Sequence, residues 1–132
     1  MPGSNVEMSL PHQYRLTEKR AFREIFEKPC VASDGCFKIL AKPNGQVGSR
    51  LGMAISRKVD RRAVQRNRLK RLIRESFRMQ LASNPAVMAA DFMVLPRQQA
   101  VSISNEEIFE RLGRLWNNVG RKLDSLNPPT NA

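Results

Sequence analysis

Residues 65–77 read QRNRLKRLIRESF, and the spacing of apolar and charged residues in this stretch predicts a helix with two unlike faces. At about 100° per residue, apolar and small side chains gather on one arc, with Phe77 at its edge. This arc holds Leu69, Leu72, Ile73, Ser76 and Met79. The opposite arc holds Asn67, Lys70, Arg71, Arg74 and Arg78, and Arg66 and Arg68 lie at the two borders. We therefore expect a helix over about residues 60–82 that packs on one side and presents cations on the other.

The charge around this helix is too one-sided for a face of internal ion pairs. Between residues 57 and 78 there are ten basic residues and two acidic ones, Asp60 and Glu75, so the segment carries +8 of the chain's formal +11. Only Glu75 lies within the cationic part of the helix as a pairing partner. Arginine predominates, and its planar guanidinium can bind a phosphate through two hydrogen bonds. The pattern predicts a polyanion partner, and charge alone does not distinguish RNA from DNA.

Length and composition favour one domain in an intracellular protein. A chain of 132 residues can bury one core. We expect a flexible tail over 1–11, a single domain over 12–126 and a disordered tail over 127–132. The sequence shows no apolar run of about 18 residues and no signal-peptide pattern, so we expect no membrane association and a cytoplasmic location. With Cys30, Cys36 and one histidine the chain cannot assemble a common structural zinc site, and we expect reduced thiols.

The flanking segments alternate between helix and strand patterns. Thr17 is a candidate cap for a helix through about residue 27, which Pro29 ends. Residues 36–42 alternate, with Phe37, Ile39 and Ala41 on one side and Cys36, Lys38, Leu40 and Lys42 on the other. Residues 50–56 and 91–96 are predicted as further strands.

A final helix is predicted after Ser104, which with Glu107 forms a capping-box pattern. Its apolar stripe is Ile108, Leu112, Leu115, Trp116, Val119 and Leu123. Trp116 could stack on a base, but its position within this stripe favours the core. Phe22 and Phe26 form one row of the first helix, which either packs in the core or lines a groove where unpaired bases stack.

Nothing in the sequence indicates that the chain is itself a hydrolase. His12 is the single histidine and lies near the N-terminus, without a rigid frame. No phosphate-binding glycine loop, nucleophile elbow or carboxylate cluster for metal ions is present. We predict no catalytic residue and no metal site on the protein.

Residues 56–59 (SRKV), a short spacer and residues 65–78 (QRNRLKRLIRESFR) resemble the signature of the protein component of bacterial ribonuclease P, which is centred on an RNR motif. The segments YRL (14–16) and FREIF (22–26), the strands at 50–56 and 91–95 and the closing helix are also similar to family counterparts. The resemblance covers about residues 12–124.

The resemblance implies an α+β fold with a small four-stranded mixed sheet and three helices, in αβββαβα order. The RNR helix would lie in a left-handed crossover between parallel strands, which is a rare handedness. It also implies that the RNA subunit catalyses removal of the 5′ leader from precursor tRNA, with Mg²⁺ held mainly by that RNA and the substrate. The protein would assist as a monomer, one per ribonuclease P RNA.

The same resemblance assigns roles to individual residues. Those placed against the catalytic RNA are Arg61, Arg62, Arg66, Asn67, Arg68, Lys70, Arg71 and Arg74. Those placed at a cleft for the single-stranded leader are Phe22, Phe26, Lys38, Leu40, Arg57 and Lys58. Some family members have an aromatic residue on the cleft face of the strand equivalent to 36–42, and this sequence has none there, so leader stacking would depend more on the helix phenylalanines. The alternative is a structural RNA-binding protein of ribosomal type, without a catalytic partner.

Overall fold

The computed structural model describes residues 19–45, 48–83 and 90–126, and within them the chain forms a four-stranded sheet with helices. The elements are α1 (Lys19–Glu24), β1 (Cys30–Ser33), β2 (Phe37–Pro43), β3 (Arg50–Met53), α2 (Ala63–Ser83), β4 (Ala90–Pro96), a short 3-10 helix (Gln98–Ser102) and α3 (Asn105–Leu126). The strand order is β1-β2-β4-β3. Strands β3 and β4 are parallel, and the other neighbouring pairs are antiparallel. The predicted α+β class and mixed four-stranded sheet are confirmed.

The end of helix α1 and the strand β1 that follows it differ from what the sequence patterns predicted. Helix α1 ends at Glu24, three residues before the predicted end at 27, and Lys28 adopts a positive φ of 52°. The Lys42 ammonium donates to the carbonyls of Glu24 and Glu27, at 3.1 and 2.8 Å, and so satisfies acceptors at the end of this helix. The sequence patterns placed no strand at residues 30–33, although the resemblance implied three strands before α2. The four residues of β1 have no clear alternation, and only pairing with β2 makes them a strand.

The main core lies between one face of the sheet and the two long helices. Phe37, Ile39 and Ala41 of β2 are buried in it, as the alternation predicted. All six residues of the apolar stripe of α3 are buried too, each worth about 1.5–3 kcal/mol for a large side chain. The Trp116 ring lies 5.7 Å from Phe77, and its indole N–H donates to the Ser76 hydroxyl at 2.8 Å. The core assignment of Trp116 is confirmed.

Two predicted positions are wrong. Met79 was assigned to the packed arc of α2 but is 58% exposed, while Phe77, predicted at its edge, is fully buried. Cys36 was assigned to the face of Lys38 and Leu40 but is buried in the main core. Cys36 precedes β2, in a turn where the Asp34 carboxylate accepts its amide at 2.8 Å, so strand alternation does not reach it.

Both cysteines are free thiols, and burial raises the pKa of each, which keeps them protonated.

Helix α3 follows Ser104, whose hydroxyl accepts the Glu107 amide at 3.1 Å. The Glu107 carboxylate pairs with Arg111 at 2.9 Å, so only half of the predicted capping box is seen.

The opposite face of the sheet carries a smaller apolar cluster of Ile25, Leu40 and Met93. Beside it, Arg50 of β3 and the buried Asp91 of β4 form a bidentate ion pair, with distances of 2.8 and 2.9 Å. These two residues are also direct partners in the parallel register, so the ion pair helps to align β3 with β4. In the described part of the chain, no helix has the length and apolar character that crossing a membrane requires. The predicted tails at 1–11 and 127–132 lie outside the described residues.

Candidate nucleic-acid interface

Helix α2 has the two faces that its sequence predicts. Leu69, Leu72 and Ile73 are buried, at 0–3% exposure. Asn67 on the other side is exposed, and Lys70, Arg71 and Arg74 are partly exposed. We call these four residues the outer face of α2. Because the helix is anchored through its apolar side, the outer face is held in a fixed direction and offers cations to an approaching polyanion.

Two arginines of the RNR motif bind to the protein itself. Arg66 donates through Nη1 to the carbonyls of Asp60 and Arg61, at 3.0 and 2.8 Å. Arg68 donates through Nη2 to the Ile103 carbonyl at 2.8 Å and through Nε to the Asn105 side chain at 3.0 Å. Its Nη1 makes two longer bonds of 3.4 and 3.5 Å, so every guanidinium nitrogen of Arg68 has a protein acceptor. Both were predicted to contact RNA, and the structure shows each of them bonded to a neighbouring connecting segment of the protein.

The segment 57–62, between β3 and α2, carries four exposed cations, and we call it the basic loop. These cations are Arg57, Lys58, Arg61 and Arg62. With Val59, Asp60 and Gln98 they line an open pocket of about 570 Å³. The pocket brings together residues that the sequence had divided between the RNA face and the leader cleft.

Asp60 shapes the end of the basic loop. Its carboxylate accepts the Arg62 amide at 2.7 Å and pairs with the Arg62 guanidinium at 2.9 Å. The hydrogen bonds from Arg62 lower the pKa of Asp60 to about 2, so it is ionised at neutral pH. Helix α2 begins after this turn, at Ala63, slightly later than predicted.

The predicted leader-cleft residues lie in three places: α1 with the turn after it, the basic loop, and the sheet face opposite the main core, which we call the second face. Lys38 is exposed, and Leu40, two residues along the same strand, is buried with Ile25 and Met93. Leu40 thus forms a floor and does not offer an exposed stacking surface. Phe26 is 49% exposed. Phe22 lies in α1, but its side chain lies outside what the structure describes.

Sequence reasoning missed Gln98, which lies at the start of the 3-10 helix. Its side-chain amide donates to the Lys58 carbonyl of the basic loop at 2.9 Å. Nothing in the sequence distinguishes Gln98 from its neighbour Gln99, because the contact depends on a loop 40 residues away. Within the described ranges, no three histidine, cysteine, aspartate or glutamate side chains are grouped closely enough to hold a metal ion.

A family model described as Ribonuclease P matches residues 10–120 of this sequence. The chain belongs to the ribonuclease P protein family. The ribonuclease P protein component of Methylococcus capsulatus is 38% identical over 129 residues, covering 98% of this chain and 97% of that protein. That of Photorhabdus laumondii is 38% identical over 111 residues, covering 84% and 91%.

Solved structures agree with this family assignment. The RNase P protein of Staphylococcus aureus is similar with a TM-score of 0.71 at 28% identity, covering 79% of this chain and 93% of that one. The RNase P protein from Thermotoga maritima gives a TM-score of 0.65 at 32% identity, covering 81% and 96%. The outer face of α2 and the basic loop both lie within the range that the ribonuclease P family model matches.

Proposed function

We propose that this chain is the protein subunit of ribonuclease P. It assists the RNA-catalysed, Mg²⁺-dependent endonucleolytic removal of the 5′ leader from precursor tRNA by binding the catalytic RNA and the single-stranded leader. The observation that carries the proposal is the outer face of α2, a cationic surface on a helix whose apolar side is packed in the core, in a member of this family. Relatives that are 38% identical and named as ribonuclease P protein components support it.

The proposed contact surface for ribonuclease P RNA combines α2 with the end of the basic loop. It consists of Arg61, Arg62, Arg66, Asn67, Lys70, Arg71 and Arg74. Arg66 belongs to this surface because both of its hydrogen bonds to described residues use Nη1. Among those residues, Nε and Nη2 have no acceptor and can bind a phosphate. Arg68 is assigned to support this surface, since all its nitrogens have protein acceptors.

The proposed path of the leader runs over the second face of the sheet towards the basic loop. Its borders are Phe22, Phe26, Lys38, Arg57 and Lys58, with Leu40 in the floor. The exposure of Phe26 and of Lys38 supports this path, because a base can stack on one and a phosphate can pair with the other. Stacking of a base on an aromatic ring is worth about 1–3 kcal/mol.

Catalysis belongs to the RNA subunit in this proposal, and Mg²⁺ is held mainly by that RNA and the substrate. The protein acts as a monomer, one per RNA, in the cytoplasm. We also propose the complete topology that the family resemblance implies. It has three helices and four strands in the order αβββαβα, and the crossover from β3 through α2 to β4 is left-handed.

Reconstitution tests the function. The purified chain alone should cleave no precursor tRNA, whereas adding it to an in vitro transcribed bacterial ribonuclease P RNA at low Mg²⁺ should raise the cleavage rate. The double variant Lys70→Gln, Arg71→Gln should lose much of this gain. A matched double variant, Arg114→Gln, Arg121→Gln, removes two exposed cations from α3 and should retain it. Equal cleavage with and without the protein would reject the proposal and favour the structural RNA-binding alternative.

A further inference from the structure

The basic loop has little regular structure of its own to hold it. It connects β3 to α2 through a turn, in which the Val59 amide donates to the Ser56 carbonyl at 3.0 Å. Its four cations are all exposed and line the 570 Å³ pocket. Four like charges repel one another, and Asp60 within the loop offsets only part of this repulsion through its ion pair with Arg62, so contacts from outside help to keep the loop in one conformation.

Side chains from two other elements provide these contacts, and both bind to the loop backbone. Gln98 donates to the Lys58 carbonyl at 2.9 Å. Arg66, on α2, donates to the Asp60 and Arg61 carbonyls at 3.0 and 2.8 Å. Three backbone carbonyls of the basic loop thus accept hydrogen bonds from other elements. The four cationic side chains of the loop take no part in these bonds.

Gln98 can act in this way because its own position is firm. The 3-10 helix that it begins is anchored by the fully buried Ala100. At the far end of this helix Arg68 donates to the carbonyls of Val101 and Ile103. Arg68 thus connects α2 to the 3-10 helix, and Gln98 connects the 3-10 helix to the basic loop.

We propose that Gln98 is a positioning residue for RNA binding, which acts by fixing the basic loop and not by touching RNA. The inference rests on the proposed function, because the loop's cations matter only if a nucleic acid binds there. Gln98 is uncharged, so removing its side chain changes no electrostatic contact with phosphates. Removing the Gln98 side chain makes the loop less ordered, and RNA binding must then order it again. Ordering a loop and its side chains on binding costs affinity, and we expect a loss of about three- to tenfold.

The first test uses the free protein and needs no RNA. Amide hydrogen exchange across residues 57–62 should be faster in Gln98→Ala than in the natural sequence, because this segment opens more often. Gln99→Ala is the matched control, since Gln99 is an exposed glutamine next to Gln98 in the same 3-10 helix. Its exchange in this segment should stay unchanged. Equal exchange in all three proteins would overturn the inference, whatever the RNA measurements show.

The second test measures affinity for in vitro transcribed ribonuclease P RNA as a function of salt. Gln98→Ala should weaken binding without changing the slope of log K against log salt, because no phosphate contact is removed. The same substitution in a background of Arg57→Gln and Lys58→Gln should have a smaller effect, since part of the cationic loop that it orders is gone. If Gln98→Ala lowered RNA affinity by the same factor in both backgrounds, Gln98 would not act through the loop, and the inference would be overturned. If the natural chain does not bind this RNA, the proposed function fails, but the exchange test still decides whether Gln98 holds the loop.

Discussion

Replacing Arg68 by glutamine should destabilise the protein and spare its RNA contacts, whereas the same replacement at Arg71 should do the reverse. Both residues lie on α2, three positions apart, and both substitutions remove one positive charge. Arg68 donates to acceptors at the start of α3, and Arg71 lies on the outer face of the helix. The pair therefore separates the structural contribution of an arginine from its contribution to phosphate binding.

The expected magnitude follows from the four hydrogen bonds of Arg68. Two are short, at 2.8 Å to the Ile103 carbonyl and 3.0 Å to Asn105, and two are long, at 3.4 and 3.5 Å. A hydrogen bond from a charged group is worth about 1.5–3 kcal/mol, and partial exposure lowers this to about 1 kcal/mol for each short bond. Arg68→Gln should thus lower the free energy of unfolding by about 2 kcal/mol. For a domain of this size that corresponds to a fall in Tm of roughly 6–8 °C.

Two measurements on each variant complete the comparison. Calorimetry should show the fall in Tm for Arg68→Gln and almost none for Arg71→Gln, as is usual for a substitution on the surface. Titration with ribonuclease P RNA at several salt concentrations should show the slope reduced by about 0.7–0.9 for Arg71→Gln, the value for one lost phosphate contact. A reduced slope with an unchanged Tm for Arg68→Gln would refute the reasoning, because it would make Arg68 a phosphate ligand.

Three further predictions concern the core, the basic loop and the cleft. Ser76→Ala leaves the buried Trp116 N–H without its acceptor, so urea unfolding should show a loss of about 1–3 kcal/mol, and unchanged stability would contradict this role of the bond. The Asp60 pKa lies at about 2, below its ordinary value of 3.8, so its contribution to stability is present above pH 3.8 and lost as the pH falls through 2. An NMR titration should show this pKa and a partial return towards 3.8 in Arg62→Gln, which keeps the backbone amide bond, and the same value in both proteins would exclude the Arg62 guanidinium as a cause. Phe26→Leu should spare assembly with RNA but reduce the preference for substrates with a leader, whereas lost folding without a leader effect would assign Phe26 to the core.

The periodic parts of the sequence were predicted well because burial in a helix or strand follows its own repeat. The stripe of α3 and the alternation of Phe37, Ile39 and Ala41 were both confirmed. The two errors have different causes. Met79 is exposed although α2 continues to Ser83, because the helical repeat gives the face of a residue and not whether another element covers it. Cys36 lies in a turn before β2, where strand alternation does not apply.

Strand β1 shows a second limit. Its residues, CVAS, have no alternation strong enough to identify them, and they become a strand by pairing with β2 in the register Cys30 to Ala41. A strand needs a partner for its backbone hydrogen bonds, and a short one is specified mainly by that partner. Local sequence therefore could not predict it.

The sequence by itself determined that residues 65–77 form a helix with an apolar side and a cationic side, because both properties depend on spacing along one helix. It also carried the resemblance from which the family was predicted. Only the tertiary structure showed which of these cations bind to the protein itself. Three of the four acceptors of Arg68 lie 33 to 37 residues away, and Gln98 has its acceptor 40 residues away, so folding alone brings these donors to their partners. A charged side chain near the surface can bind RNA, its own protein or both, and the acceptors that the fold places beside it determine how many of its donors the protein uses.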